Sequence, residues 1–343
     1  MAKKPKLSKN QKRRVQQNRH KRIANQNEQT LDNLGEQIGG RVISRFGKHA
    51  IVESTDEKKQ VHNCFIRRTV ESVVCGDQVL FRPSISNEER DRGIIEAVLD
   101  RKSVLTRPDY YDGVKPIAAN IDQIMVVSSI LPAFSSHIID RYLVACEQAK
   151  IEPIILVNKI ELLDEKELCK LDKQLDIYRH LGYKVFLVSC KTHIGISSFV
   201  DELSDKVSVF VGQSGVGKSS LVNQLLPDAK EQVGDVSENS GLGQHTTTAA
   251  KLLHFSNGGE LIDSPGVREF GLWHLSKEEV TTGFIEFRRY LGGCKFSDCS
   301  HKSDPGCLIT DAVNTGDIEE SRYQSYLKII ETLDTQRPSY AKS

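Results

Sequence analysis

The chain contains one Gly-rich phosphate-binding pattern, GQSGVGKS at residues 212–219, and this pattern constrains the fold more than any other feature. In G-x-x-x-x-G-K-[ST], the glycines let consecutive backbone N–H groups face a phosphate chain, while the lysine and the hydroxyl meet phosphates and Mg²⁺. The apolar run 207–211 predicts a buried strand before the loop, and residues 219–226 predict a helix whose N-terminus receives the phosphates. For the loop alone, a Gly-rich turn without a ligand is the alternative.

Two motifs downstream of the loop are expected to complete the phosphate site. Asp263 and Gly266 belong to a D-x-x-G turn, in which the carboxylate reaches Mg²⁺ through water and the glycine N–H binds a γ-phosphate. Between the two motifs, a stretch ending in GLGQHTTT at residues 241–248 predicts a switch loop with Thr247 as a Mg²⁺ ligand. An ordinary flexible linker is the alternative for that stretch. The phosphate-binding residues are expected to be Gly212, Gln213, Ser214, Gly215, Val216, Gly217, Lys218, Ser219 and Ser220.

A base-binding motif lies upstream of the phosphate loop. The apolar run 154–157 predicts a strand, and it is followed by Asn158, Lys159, Ile160 and Glu161. In the usual form, N-K-x-D, the carboxylate accepts two hydrogen bonds from the guanine edge. Glu161 keeps the acceptor but adds a methylene, so the motif predicts a guanine preference and leaves its strength open.

A second strand, at 185–188, ends at a turn similar to the S-A-K turn that supports the base, formed here by Ser189, Cys190 and Lys191. Along the chain, the base-binding motif therefore comes first, followed by the turn that supports the base, the phosphate loop, the switch loop and the D-x-x-G turn. This order is a circular permutation of the Ras-like arrangement. Helical patterns near 138–149, 166–181 and 196–203 alternate with these strands, so we expect a parallel sheet with helices on both faces and nucleotide at the carboxyl ends of its strands.

Charge is unevenly distributed along the 343 residues. Residues 1–36 contain ten Lys or Arg residues against three acidic ones, a net charge of +7, although the whole chain carries +1. This arm has few apolar residues, so we expect it to be disordered until it meets a polyanion; a solubilising tail is the alternative. No signal peptide pattern and no run of membrane-spanning length is present, which predicts a cytoplasmic protein without a membrane partner.

Residues 40–105 change in character. Short β-branched segments separated by Gly, Asp and charged turns predict a small closed β-barrel such as an OB-fold. Basic residues interleaved with these segments predict a face that binds nucleic acid, although charged outer positions are also normal for a barrel. They are Arg41, Arg45, Lys48, Arg67, Arg68 and Arg82.

The eight cysteines fall into two groups. Five are scattered among apolar segments and are expected to be buried small hydrophobes: Cys64, Cys75, Cys146, Cys169 and Cys190. The others form C-x₄-C-x-H-x₅-C, a closed tetrahedral zinc set made of Cys294, Cys299, His301 and Cys307. Chance clustering is the alternative, and a cytoplasmic location disfavours a disulfide.

Two helical faces are predicted in the carboxyl-terminal third. The first follows a capping box at Ser276 and Glu279 and consists of Val280, Phe284, Phe287 and Leu291. The second consists of Tyr323, Tyr326, Leu327 and Ile330.

Taken together, these motifs resemble the RsgA, or YjeQ, family of circularly permuted GTPases that depend on the small ribosomal subunit. GQSGVGKSS, GLGQHTTTA and DSPGVREFGL are similar to family signatures, and the resemblance covers nearly the whole chain. It implies a multi-domain α/β protein with a basic arm (1–36), an OB-fold RNA-binding barrel (37–102), a permuted Ras-like GTPase domain (103–271) and a helical zinc-binding domain (272–343). We also expect a monomer that binds one zinc ion, and Mg²⁺ with GTP or GDP.

The resemblance further implies GTP hydrolysis that is stimulated on the small subunit, late maturation of that subunit and contacts to its rRNA. Within the site, Lys218 is expected to bridge the β- and γ-phosphates, with Ser219 and Thr247 on Mg²⁺. Val267 occupies the position of the usual water-orienting Gln and has no hydrogen-bonding atom, so the resemblance and the local chemistry both indicate His245 for that role. Two alternatives stay open: a P-loop ATPase or phosphotransferase with relaxed base choice, and a non-catalytic RNA-binding module switched by nucleotide.

Overall fold

A computed structural model describes residues 34–85, 92–109, 113–226, 250–263, 275–302 and 304–336. They belong to two compact units. The first contains the residues up to Arg41 together with Phe46–Val73 and Gln78–Leu99. The second contains Val42–Arg45, Val74–Asp77 and the chain from Asp100 onward. No described helix has the length and apolar character that crossing a membrane requires.

The first unit is a five-stranded barrel, which confirms the expectation from the sequence. Its strands are β1 (Ile38–Phe46), β2 (His49–Ser54), β3 (Val61–Ile66), β4 (Gln78–Arg82) and β5 (Gly93–Val98). They pair in the order β1-β2-β3-β5-β4, and β4 closes the barrel against β1 from Ile38↔Phe81 to Arg41↔Gln78. Val52, Phe81 and Ile95 are fully buried inside it. Gly40 is needed there, since a Cβ would lie 2.5 Å from Val52 Cγ1 and 2.6 Å from Phe81.

The second unit contains a sheet of mainly parallel strands. After an antiparallel pair, β6 (Val104–Asp109) and β7 (Gly113–Ala119), come β8 (Gln123–Ser129), β9 (Glu152–Asn158), β10 (Lys184–Leu187), β11 (Val207–Val211), β12 (Lys251–His254) and β13 (Glu260–Asp263). The order β10-β9-β8-β11-β13-β12 is parallel except for β12, which runs antiparallel to β13. Each connection between parallel strands contains a helix where the structure describes it, as the alternating pattern predicts.

The helices that cover this sheet are α1 (Ser136–Ala149), α2 (Glu165–His180), α3 (Ile196–Leu203) and α4 (Lys218–Leu225). Both faces of the sheet are apolar, because successive residues of a strand point to opposite sides. On β8, Ile124 and Val126 belong to one core cluster, and Met125 and Val127 belong to the other. A strand buried on both faces explains why its sequence is a continuous apolar run.

The carboxyl-terminal part of the second unit is helical. It contains α5 (Lys277–Gly283), a 3₁₀ segment (Ile285–Tyr290), α6 (Leu308–Thr315) and α7 (Glu320–Gln336). The capping box of Ser276 and Glu279 is present at the start of α5. However, the prediction of one continuous helical face from Val280 to Leu291 is wrong, because the α-helix ends at Gly283 and Phe284 is extended. Gly283 packs against α1, where a Cβ would lie 2.6 Å from Val144 Cγ1.

The scattered cysteines are only partly as expected. Cys64, Cys75 and Cys146 are buried, and burial raises the pKa of the Cys64 thiol to about 12. Cys190 is half-buried. Cys169 is exposed, so its assignment to the core is wrong. It lies on α2, where the buried positions are Leu171, Leu175 and Tyr178, so the amphipathic pattern places position 169 on the solvent side.

Candidate nucleotide and metal sites

The phosphate loop connects the carboxyl end of β11 to the N-terminus of α4. Gly212, Gly215 and Gly217 have φ angles of +142°, +83° and +96°, a region that only glycine adopts without strain. A Cβ at Gly212 would strike the carbonyl oxygen of Val127 on β8, and one at Gly217 would strike Asn158 Nδ2. The glycines of the motif are therefore required by backbone conformation and by close neighbours together.

The side chain of Lys218 folds back over the loop. Its ammonium donates hydrogen bonds to the Gly212 carbonyl (2.7 Å) and the Gln213 carbonyl (2.5 Å). Gln213, Ser214, Gly215, Ser219 and Ser220 are exposed, whereas Val216 is buried and anchors the loop. The loop thus presents backbone groups, three hydroxyls and one cation at a helix N-terminus, an arrangement suited to phosphate.

Asn158 connects three of the predicted motifs. It is 1% exposed at the end of β9. Its Nδ2 donates to the Val216 carbonyl in the phosphate loop at 3.0 Å. Its Oδ1 accepts hydrogen bonds from the backbone N–H of Lys159 (2.8 Å) and of Cys190 (3.4 Å). Motifs that lie 58 residues apart in the chain are therefore held together by one amide side chain.

Lys159 has a left-handed backbone, with φ of +67°, at the start of a 3₁₀ turn that spans Ile160–Leu162. Its ammonium donates to the carbonyl of Leu131 (2.5 Å), in the loop after β8, and to the carbonyl of Gly215 (2.6 Å). The Leu131 contact was not predicted from the sequence, because a backbone carbonyl gives no signal there. The stem of Lys159 thus bridges the phosphate loop and the segment that leads to α1.

Glu161 carries a buried acceptor atom. Its Oε2 is inaccessible to solvent and has no hydrogen-bond partner among the described residues. The carboxylate lies near Cys190, whose thiol pKa is raised first by burial and also by this negative charge. Buried carboxylate oxygens nearly always have a donor, so an unpaired one at the mouth of a candidate site indicates a ligand that supplies N–H groups.

The turn after β10 brings the remaining base-site residues close to Asn158. The Ser189 side chain is buried, and its Oγ accepts the backbone N–H of Thr192 at 3.0 Å. Cys190 contacts Asn158 as described, and Lys191 is exposed.

Asp263 ends β13, beside β11 in the sheet. Gly266, His245 and Thr247 lie outside the described residues.

The predicted metal ligands converge in the carboxyl-terminal part. The ligand atoms of Cys294, Cys299, His301 and Cys307 all lie within 4.8 Å of one another. His301 Nδ1 is 3.6 Å from Cys294 Sγ and 3.5 Å from Cys307 Sγ. Tetrahedral zinc with ordinary bond lengths places sulfur and nitrogen ligands about 3.6 Å apart, so the cluster has the dimensions of a zinc site.

Neighbouring groups stabilise this cluster. Tyr323 on α7 donates from its hydroxyl to the carbonyls of His301 (2.9 Å) and Lys302 (3.0 Å). Burial raises the pKa of the Cys307 thiol, but hydrogen bonds from Thr310, Cys299 and Ile309 together outweigh burial and leave the pKa lowered. The sequence indicated Tyr323 as a core residue and gave no sign of this contact.

Comparison with known proteins gives one matching family model and several named relatives. The model of the RsgA GTPase family matches residues 98–273. The small ribosomal subunit biogenesis GTPase RsgA of Yersinia enterocolitica is 56% identical over 98% of this chain and 97% of its own length. The Serratia proteamaculans protein of the same name is 56% identical over 96% of this chain and 95% of its own.

Two solved structures are similar over most of the chain. YjeQ from Thermotoga maritima superposes with a TM-score of 0.71 at 34% identity and covers 88% of this chain and 100% of its own. YloQ, described as a circularly permuted GTPase, gives 0.69 at 28% identity and covers 89% and 98%. The similarity therefore extends beyond the residues matched by the family model.

Proposed function

Because this chain belongs to the RsgA GTPase family and is a circularly permuted GTP hydrolase, we propose that it acts in biogenesis of the small ribosomal subunit. The observation that carries the proposal is the similarity, over almost the full length, to relatives named for that process. On this proposal the enzyme hydrolyses GTP to GDP and phosphate, the subunit stimulates turnover, and the protein contacts rRNA late in maturation. The ATPase and non-catalytic alternatives are set aside, because the family is one of GTP hydrolases.

Guanine recognition is assigned to Glu161 within the motif Asn158, Lys159, Ile160 and Glu161. The support is the unpaired, buried Oε2 of that residue, which the N1–H and amino group of guanine would satisfy. Adenine presents no such pair of donors at the equivalent edge. Asn158 is hydrogen-bonded both to the phosphate loop and to the base-supporting turn of Ser189, Cys190 and Lys191. The positions of the base-binding and phosphate-binding residues are therefore coupled through one side chain.

Phosphate binding is assigned to the loop from Gly212 to Ser220. The Lys218 ammonium would exchange hydrogen bonds with the Gly212 and Gln213 carbonyls for hydrogen bonds with the β- and γ-phosphates. Because the ammonium already lies over the loop, this change needs only a short movement of the side chain. Ser219, Thr247 and, through water, Asp263 would hold Mg²⁺, while the N–H of Gly266 would contact the γ-phosphate. When bound, Mg²⁺ neutralises charge that develops on the phosphate oxygens.

Hydrolysis needs a group that orients the attacking water. The side chain of Val267 offers no hydrogen-bonding atom at the position of the usual Gln, so we assign this role to His245, two residues before Thr247. Mg²⁺ and nucleotide bound at Thr247 would fix the position of the segment that carries His245, and the small subunit would bring His245 toward the γ-phosphate. On this proposal, turnover of the free protein is slow and turnover on the subunit is faster.

The remaining parts have structural and binding roles in this proposal. One zinc ion would occupy the cluster of three thiolates and one imidazole, with no open position for catalysis, and would stabilise the helical domain (272–343). The barrel (37–102) and the basic arm (1–36) would contact rRNA, and the GTPase domain would span 103–271. We further propose that the protein is cytoplasmic and monomeric.

A turnover measurement tests the central proposal. GTP hydrolysis is measured under single-turnover conditions with the full chain alone, with purified small ribosomal subunits and with large subunits as a control. The expected result is acceleration by small subunits only. Equal turnover in all three conditions would refute action on the small subunit while leaving the GTPase assignment intact.

A further inference from the structure

Three side chains form a cluster on the barrel, which we name the stacking cluster: His49 on β2, Phe65 on β3 and Arg92 directly before β5. The ring centroids of His49 and Phe65 are 4.7 Å apart. The guanidinium carbon of Arg92 lies 5.2 Å from the centroid of the Phe65 ring, and its Nη1 is 2.6 Å from His49 Nδ1. An aromatic ring, an imidazole and a guanidinium thus pack against one another.

The cluster faces outward from the barrel. His49 and Phe65 are direct partners in the pairing of β2 with β3, and their neighbours Ala50 and Cys64 are fully buried on the inner face. Since successive residues of a strand alternate between faces, His49 and Phe65 point away from the core. Phe65 remains 40% exposed even with Arg92 beside it. The pattern of core packing therefore gives no reason for an aromatic ring at this position.

Among the described residues, the chain next to the cluster carries the cations Lys48, Arg67 and Arg68. Burial, and then the charge of Arg92, lower the pKa of His49, so at neutral pH the imidazole is uncharged and accepts a hydrogen bond from the guanidinium. Within the described part of the barrel, no carboxylate pairs with Arg92, Lys48 or Arg68. By contrast, Arg67 and Arg82 both lie within 3.5 Å of Glu96, which offsets their charge.

We propose that the stacking cluster binds an unpaired base of single-stranded RNA, with the base against Phe65 and Arg92 and the adjoining phosphates on Lys48 and Arg68. The inference rests on the proposed function and specifies where and how the barrel contacts RNA. Aromatic rings and guanidinium planes bind the faces of splayed-out bases, which a continuous duplex does not present. Lys48 lies next to His49 in the turn after β1, and its carbonyl accepts the N–H of Ile66, so the cation and the cluster share one end of β2 and β3.

The test compares a labelled single-stranded RNA oligonucleotide with a duplex of the same sequence, using the full-length protein. Phe65→Leu keeps an apolar side chain and removes the aromatic face, so it should weaken single-strand binding by about 5- to 100-fold, as loss of one stacked base does. Phe65→Trp should retain the affinity. Val61→Ala is the matched control, because Val61 is an exposed apolar residue (56%) on the same strand but outside the cluster.

A second readout separates stacking from charge. Phe65→Leu should leave the salt dependence of binding unchanged, whereas Lys48→Ala should flatten it. The proposal would be overturned if Phe65→Leu bound the single strand with wild-type affinity, or if it lost the same affinity for the single strand and for the duplex. Subunit-stimulated GTP hydrolysis is measured on the same preparations. Stimulation of the wild-type protein together with normal RNA binding by Phe65→Leu would refute this inference and leave the proposed function standing.

Discussion

Arg322 on α7 and Asp140 on α1 form a buried ion pair, with 2.6 Å between Nη1 and Oδ1 and side chains that are 2% and 1% exposed. Arg322 also contacts Glu286 at 2.7 Å, and the Tyr178 hydroxyl donates to the same oxygen of Asp140 at 2.8 Å. Burial lowers the pKa of Arg322, but Asp140 and Glu286 outweigh it and raise the pKa. Four segments of the second unit therefore meet at one guanidinium.

This ion pair joins two helices that adjoin segments of the two candidate sites. α1 follows the loop whose Leu131 carbonyl accepts a hydrogen bond from Lys159, and α7 carries Tyr323, which contacts the metal-binding segment. A helix beside the nucleotide site is thus joined to a helix beside the metal cluster. The arrangement was not predictable from the sequence, since Asp140 and Arg322 are 182 positions apart.

Arg322→Ala is expected to destabilise the protein strongly. It leaves two buried carboxylates without their cation, and breaking a buried pair in this way costs about 3–5 kcal/mol. The matched control is Arg289→Ala, because Arg289 pairs with Asp317 at the surface (3.8 Å, both side chains more than half exposed) and such pairs contribute about 0–1 kcal/mol. Denaturant unfolding monitored by circular dichroism measures both. Similar midpoints for the two variants would contradict the prediction.

Gly217→Ala is expected to abolish nucleotide binding. Alanine would be strained at φ of +96°, and its Cβ would displace the buried side chain of Asn158, which connects the base and phosphate motifs. Gly182→Ala is the control, since Gly182 has a similar φ of +91° but open space around it. The control should lose about 1–3 kcal/mol of stability and still bind GDP normally. Titration with a fluorescent GDP analogue distinguishes them, and parallel losses of affinity would argue against the role of Asn158.

Glu161→Ala is expected to weaken guanine binding by about 1–3 kcal/mol, because the donors of the base lose their acceptor. Affinity for ATP should not change, so the ratio of GTP to ATP affinity should fall. Competition against labelled GDP measures this ratio, with Glu165→Ala as an exposed acidic control on the neighbouring helix. If ATP and GTP displace GDP equally well from the wild-type protein, Glu161 does not read guanine.

Cys299→Ser is expected to lower the zinc content below one ion per chain and to loosen the carboxyl-terminal helices while nucleotide binding stays measurable. The reason is that formation of a structural zinc site is coupled to local folding. Cys169→Ser is the control, because Cys169 is an exposed cysteine outside the cluster. Metal analysis of unchelated protein, together with limited proteolysis, provides the measurement. Absence of zinc from the freshly purified wild-type protein would refute the site.

His245→Ala is expected to reduce kcat on saturating small subunits by about 10²–10³, the range for a positioned water-orienting or proton-transfer group. GTP affinity should stay within about threefold, since Lys218 and the phosphate loop are unchanged. His180→Ala, at the exposed end of α2, is the control. The measurement is single-turnover hydrolysis by both variants on saturating subunits. Unchanged turnover of His245→Ala would mean that Gln244 or RNA holds the water.

Deletion of residues 1–36 is expected to flatten the salt dependence of subunit binding. Each phosphate contact made by the arm contributes about 0.7–0.9 to the log–log slope. Binding is measured at several salt concentrations with the full and truncated chains. Identical slopes would mean that the arm makes no phosphate contacts.

Local sequence determined the elements and the identity of the chemical groups. The strand Val207–Val211 and the helix Ile196–Leu203 have the predicted bounds, because apolar period, caps and glycines act over a few neighbouring residues. The cluster of candidate metal ligands was also predictable, since three cysteines and one histidine lie within fourteen residues of chain. The end of the α-helix at Gly283 was not predictable from the sequence. The glycine there is needed because Val144 on another helix leaves no room for a Cβ, and this contact gives no signal in the local sequence.

Tertiary structure alone decided how those groups meet. The sequence specified Asn158 as part of a base motif, but its hydrogen bond to Val216 exists only because β9 and β11 flank β8 in one parallel sheet. The same holds for the Leu131 carbonyl on Lys159, for Tyr323 beside His301 and for Arg322 against Asp140. Residue patterns report interactions along the chain, whereas these contacts depend on strand order and helix packing, which are settled by burial of apolar surface across the whole unit.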